Sequence, residues 1–194
     1  MKSLLTSRSI LWLVLALPGL WILSRWTLTP TAYGYGHAIR DSGLLAVWLL
    51  MLTLAVTPIR LLSRRNALSV WLMRRRRDLG LASFAYATGH TMIYVAEKSS
   101  LNAVLYDIGA PDIMVGWLAL ALIIPLAVTS NDIATRALRR TWKRLHRLVY
   151  PAAILTFLHW VWATFDPTTA YIQIAVLAAI QLVRIWLQFR QRVT

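Results

Sequence analysis

Marking every Asp, Glu, Lys and Arg leaves six charge-free windows, 9–24, 42–59, 79–96, 113–131, 148–165 and 167–183, of 16 to 19 residues each. A helix rises about 1.5 Å per residue and the hydrocarbon core of a bilayer is about 30 Å thick, so each window crosses once flanking residues snorkel or the bilayer thins locally. The first window is read as a helix and not as a signal peptide, because no small-residue cleavage site follows Trp21–Trp26. The sequence therefore predicts an all-α, polytopic membrane bundle of about six transmembrane helices. They cover about 9–26, 42–61, 78–97, 112–130, 146–165 and 168–187, in a single domain over 1–194. The 58% of hydrophobic residues and ten tryptophans are unlike a soluble core of this size.

The charges between the windows set the orientation. Eighteen Lys and Arg fall at the N-terminus, in the 60–77 and 136–147 connections and in the C-terminal tail, against Arg25, Arg40 and Lys98 on the other side. Five of the seven acids also lie on that second side. The basic face is thus expected to be cytoplasmic, with both termini on it, in a bacterial inner (cytoplasmic) membrane. A net charge of +14 would suit nucleic acid, but charges clustered between apolar runs are a topology signal and exclude that partner. The absence of cysteine excludes disulfides, thiolate metal sites, iron–sulfur clusters and covalently attached haem. No dinucleotide fingerprint or P-loop occurs, and the connections leave no room for a folded extramembrane domain. Electrons or energy must come from another molecule. Residues 63–77, a short apolar stretch between basic clusters, read either as an interfacial segment on the inner leaflet or as a plain positive-inside loop.

Ionisable groups at membrane depth are costly and rarely accidental. With acids and bases at the span ends, the histidines remain: His37, His90, His146 and His159. His37 lies in an outward Gly/Tyr-rich loop, where it needs no special role. His90 stands 13 residues beyond Arg77 and His159 stands 12 beyond Arg147, about 20 Å and 18 Å into helices that run the same way. Two neutral imidazoles at matched depth are what clamping a haem iron from both faces requires. Ala85, Ala87, Thr88 and Gly89 beside His90 are small enough for a porphyrin or another helix to approach. His146 lies near the cytoplasmic surface, and Arg76 occupies the place on the third helix where an inner partner ligand would stand. Guanidinium suits propionate or phosphate, not iron. His146 therefore either ligates a second haem singly or contacts a haem propionate, a flavin phosphate or a quinone.

The runs 42–62, 76–94 and 127–163, with Thr57-Pro58, the Arg76-Arg77-x-x-Gly80-Leu81 stretch leading to His90, Thr129-Ser130 and the His146…His159 spacing, resemble the MsrQ (YedZ) family. These are the haem-binding membrane subunits of the periplasmic methionine sulfoxide reductase system, within the wider ferric-reductase-like transmembrane group. The resemblance covers about two-thirds of the chain. It implies a cytochrome b with one or two b haems, His90 and His159 as the outer ligand pair, His146 as the inner histidine and Arg76 in place of the remaining ligand. It further implies FMN or quinol as inner electron source, a quinol or a flavin reductase as donor, and a periplasmic molybdopterin reductase subunit (MsrP-like) as acceptor. The outward loop 98–112 is the expected docking surface. Two rival readings stay open: electron transfer to ferric iron or another outward acceptor, and a non-redox transporter or assembly factor. The spans lack the paired broken helices and mid-membrane acids of a transporter.

Overall fold

The computed structural model describes residues 7–63, 65–98 and 100–193. These form α1 (Arg8–Leu28), α2 (Pro30–Leu62), α3 (Ala67–Glu97), α4 (Leu101–Asp107), α5 (Pro111–Val128), α6 (Asp132–Leu145), α7 (Val149–Ala163) and α8 (Thr168–Val193), with a 3-10 turn over His146–Leu148. No strand occurs among the described residues. In lipid every backbone group must be satisfied within its own segment, and helices achieve this.

Four helices are long and apolar enough to cross a membrane: Arg8–Leu28, Pro30–Leu62, Pro111–Val128 and Thr168–Arg190. The sequence leads one to expect six. The two that fall short, α3 and α7, are those that carry His90 and His159. In α3 the residues Ser83, Thr88, His90 and Thr91 dilute the apolar run, and α7 is only 15 residues long because its approach winds as the 3-10 turn.

Element boundaries differ from expectation wherever a polar stretch was read as a connection. The outward stretch before residue 42 is helical from Pro30 and belongs to α2, broken only at Gly34 (φ 56°, ψ 176°), a conformation essentially open to glycine alone. The basic cluster at 74–77 lies inside α3, which starts at Ala67 under the cap of Asn66 (2.8 Å to the Leu68 amide). The stretch from 67 onward is therefore the first part of a long helix and not a separate interfacial segment. Arginines are good helix formers, so charge alone did not mark a break. The inward 130–147 connection is mostly α6, capped by Asn131 and bent at Arg139 (φ 47°).

The core gathers around α2. It packs against α1, α3 and α8, while α5 pairs with α7. Ala46, Ala82 and Ser83 let α2 and α3 approach closely, and the Ser83 hydroxyl donates to the Ala46 carbonyl at 2.8 Å. Tyr86 ties α3 to α1: its hydroxyl donates to the Leu15 carbonyl (2.7 Å) and accepts from the Gly19 amide (2.8 Å). Leu13, Leu17 and Trp21 on α1, and Ile172, Leu182 and Trp186 on α8, remain exposed, as apolar side chains against lipid would be.

At the charged end of this pair, buried Asp78 accepts from Arg8 Nε (2.9 Å) and Trp12 Nε1 (3.3 Å), with Arg75 at 3.7 Å. Because Arg8 stays 59% exposed and can rehydrate, losing the carboxylate should cost less than breaking a fully buried pair. Asp78→Ala is expected to destabilise the fold by about 1–3 kcal/mol, read as a lower thermal midpoint in detergent. Unchanged unfolding would refute this role.

Candidate functional site

The Nδ1 of His90 on α3 lies 2.9 Å from the carbonyl oxygen of Ile39 on α2. The Nδ1 of His159 on α7 lies 2.7 Å from the carbonyl oxygen of Asp112 on α5. A carbonyl only accepts, so both rings carry their proton on Nδ1 and keep the Nε2 lone pair free, the form a metal ligand needs. The structure also brings the two rings together, with centroids 6.1 Å apart and planes at 84°. Two metal–nitrogen bonds of about 2 Å, with about 1 Å from each nitrogen to its ring centre, sum to roughly that separation.

One further feature suits a flat macrocycle. A Cβ added at Gly89 would meet nothing within 4 Å. An open, nearly apolar groove lined by Thr88, Thr91, Met92, Val95, Ala96 and Leu120 lies on the face of α3 opposite to His90 and is not part of this site. Among the described residues no three His, Asp or Glu converge as a polydentate metal site would require. His90 and His159 would offer two neutral imidazole nitrogens, a donor set that fits haem.

The inner histidine is held differently. Thr129 Oγ1 donates to the Pro125 carbonyl at 2.6 Å, so its contact with His146 Nε2 at 3.1 Å is best made with the histidine as donor. That tautomer is opposite to the one at His90 and His159. Trp142 stacks on the His146 ring at 3.9 Å and donates to the Thr129 carbonyl at 2.9 Å. Arg76 Nε donates to the Thr53 carbonyl on α2 at 3.2 Å. His37 is satisfied locally, its Nδ1 2.6 Å from the Tyr33 carbonyl and its ring stacked on Tyr33.

Residues 42–157 match the family model described as ferric reductase like transmembrane component. The chain belongs to this family. It is 36% identical to the protein-methionine-sulfoxide reductase haem-binding subunit MsrQ of Ralstonia nicotianae, over 97% of this chain and 89% of the relative. It is 41% identical to the MsrQ proteins of Brucella ovis and Brucella canis, over 74% of this chain and 64% of each relative. It therefore spans just under two thirds of the length of those Brucella relatives, and within the ferric-reductase-like family it groups with the MsrQ subunits. No solved structure matches. The matched region takes in Arg76, His90 and His146 and ends two residues before His159.

Against this family background, one group escaped the sequence reading. Arg184 on α8, counted there as a tail charge, turns inward to the Tyr150 hydroxyl of α7 and to Gln181 Oε1 (3.3 Å). Arg184 Nε and Gln181 Nε2 are buried without a partner, and Arg76 lies within electrostatic reach of Arg184. The available signal was Gln181 and Arg184 standing three apart in the otherwise apolar stretch 174–187 of α8. The end of this ferric-reductase-like bundle that carries Arg76, His146 and Arg184 thus holds buried donors without a partner.

At the far end of α3, Lys98 pairs with Asp107, which also accepts from the Tyr94 hydroxyl at 2.9 Å. This clamps α4 to the end of α3. Hydrogen bonding to Lys98, then to Tyr94, holds the Asp107 carboxyl below the usual carboxylate range. The same bond to Asp107 raises Lys98. A depressed carboxylate contributes above its unfolded pKa of about 4 and loses that contribution as pH falls through the lowered value. The raised lysine contributes below about pH 10 and loses its share as pH rises through the folded value. Hydrogen exchange of residues 100–108, corrected for intrinsic rates, should therefore rise on acidification below about pH 4. Asp107→Asn should remove that dependence, and a wild-type profile in this variant would rule the clamp out.

Proposed function

We propose that the chain is a membrane cytochrome b of the methionine sulfoxide reductase system. It takes electrons on the cytoplasmic side and passes them across the inner membrane to a periplasmic catalytic subunit of the MsrP-like molybdopterin class. The observation that carries this reading is the pair of Nδ1-anchored imidazoles, His90 and His159, 6.1 Å apart between α3 and α7. Haem b, held by these two residues, supplies reversible one-electron chemistry between ferrous and ferric iron.

The chain's own residues do the rest. His90 and His159 present neutral nitrogens at fixed positions, and the packed helices around them exclude water. Asp41, Glu97, Asp107, Asp112 and Asp166 give the opposite end an acidic cast. Arg76, His146 and Arg184 make the cytoplasmic end a cationic, donor-rich region suited to a flavin phosphate, a quinone or a propionate. FMN or quinol as immediate donor, six spans with both termini inside, and the 98–112 segment as docking surface complete the reading. The MsrQ relatives support the haem and the reductase system.

Purified protein should show a low-spin b-type spectrum that His90→Ala and His159→Ala each abolish; survival of that spectrum in both variants would sink the proposal. The pyridine-haemochrome ratio assigns His146. A ratio of one haem per chain, unchanged in His146→Ala, leaves His146 to the donor side. A ratio of two that falls to one makes it an iron ligand.

A further inference from the structure

The two histidine anchors share a construction that the haem reading does not itself require. On α2 the carbonyl that holds His90 belongs to Ile39, and the residue four further on is Gly43. On α5 the carbonyl that holds His159 belongs to Asp112, and the residue four further on is Gly116. In a helix the carbonyl of residue i already accepts from the amide of i+4, and the Cβ at i+4 leans back over it. Any side chain there covers the carbonyl's free side. A Cβ built at Gly43 would lie 3.0 Å from His90 Nδ1 and 3.2 Å from Cε1. One built at Gly116 would lie 2.9 Å from His159 Nδ1 and 3.1 Å from Cε1. Both imidazoles occupy the place an alanine methyl would take. Glycine inside a helix is disfavoured relative to alanine, and here it opens a second acceptor direction on the carbonyl.

The two clasps differ at the intervening position. Three residues after Ile39 stands Ser42, whose hydroxyl donates to the Ala38 carbonyl at 2.7 Å and also reaches the Ile39 carbonyl at 3.1 Å. The same hydroxyl lies 3.4 Å from His90 Nδ1, where its oxygen draws that N–H away from the Ile39 carbonyl. Three residues after Asp112 stands Val115, which offers no donor. The Ile39 oxygen is thus shared among the helix amide, His90 and Ser42, while the Asp112 oxygen is shared between the helix amide and His159. The contacts follow this order, 2.9 Å at His90 against 2.7 Å at His159.

We propose that Gly43 and Gly116 are positioning residues that expose one backbone carbonyl each, and that Ser42 weakens the first clasp so that His159 is the more basic ligand. This rests on His90 and His159 being the haem ligands. A stronger Nδ1–H···O bond pushes electron density onto Nε2 and favours the more highly charged ferric iron, which lowers the midpoint potential. Weakening either clasp raises it; relieving Ser42 lowers it.

The test is haem affinity and spectroelectrochemical midpoint on the purified full-length protein. Gly116→Ala should lose about 10–100-fold in haem affinity, the usual scale for removing a ligand's outer-shell partner, and any haem retained should titrate at a raised midpoint. Gly43→Ala should act in the same direction and less, its Cβ contacts being longer. Ser42→Ala removes a competing donor and a diverting acceptor, leaves the His90 N–H its shorter bond to Ile39, and should keep full haem while lowering the midpoint. That last shift is opposite to any loosening of the fold, so it stays decisive if the glycine variants fail to accumulate. Full haem with an unaltered midpoint in Gly116→Ala, or an unchanged or raised midpoint in Ser42→Ala, overturns the proposal. His90→Ala and His159→Ala in the same series separate the two claims: if they keep the wild-type spectrum, the ligand assignment itself has failed.

Discussion

Two hydrogen bonds from imidazole to backbone, His90 to Ile39 and His159 to Asp112, organise the membrane-embedded part of this molecule. A polar ring in a low-dielectric interior is expensive unless each nitrogen is used. Anchoring Nδ1 on a neighbouring helix uses one and aims the other. Each bond also couples two helices, α2 with α3 and α5 with α7, so the same contacts that orient the rings fix the spacing of the bundle. Close approach is possible only because small residues line these seams, Ala46, Ala82 and Ser83 on one and Gly116 on the other.

Of the helices that carry His90 and His159, α3 is diluted by polar residues and α7 is apolar but short, and both depend on their neighbours for burial. α3 is roofed by α1 and α2 through Tyr86, Ser83 and Asp78, while α7 leans on α5 and α8. Polar residues that would be unfavourable against lipid are tolerated in α3 because they face protein. This division of labour explains why α1 and α8 keep the most exposed apolar surface although neither carries a histidine.

Much of the helical architecture was legible in the sequence because lipid imposes a simple rule: charge-free length makes a helix. The rule fails where a charged or polar stretch is itself helical. The 74–77 arginines inside α3, the outward extension of α2 and the amphipathic α6 were all read as connections. Arginine, alanine and leucine carry good helix propensity, and nothing local forbids the helix from running on. Gly34 is the exception, where a positive φ breaks α2 at a residue type the sequence does display.

The sequence by itself determined an all-helical membrane protein and, through helical rise alone, placed His90 and His159 at one depth. Depth is a one-dimensional quantity, and charge spacing measures it. Rotation about each helix axis, and which carbonyl a ring meets, depend on how neighbouring helices pack, and only the tertiary structure decided them. So it was the fold that set the opposite tautomer of His146, turned Arg184 inward toward Tyr150, and showed that Gly43 and Gly116 stand where the imidazoles need room.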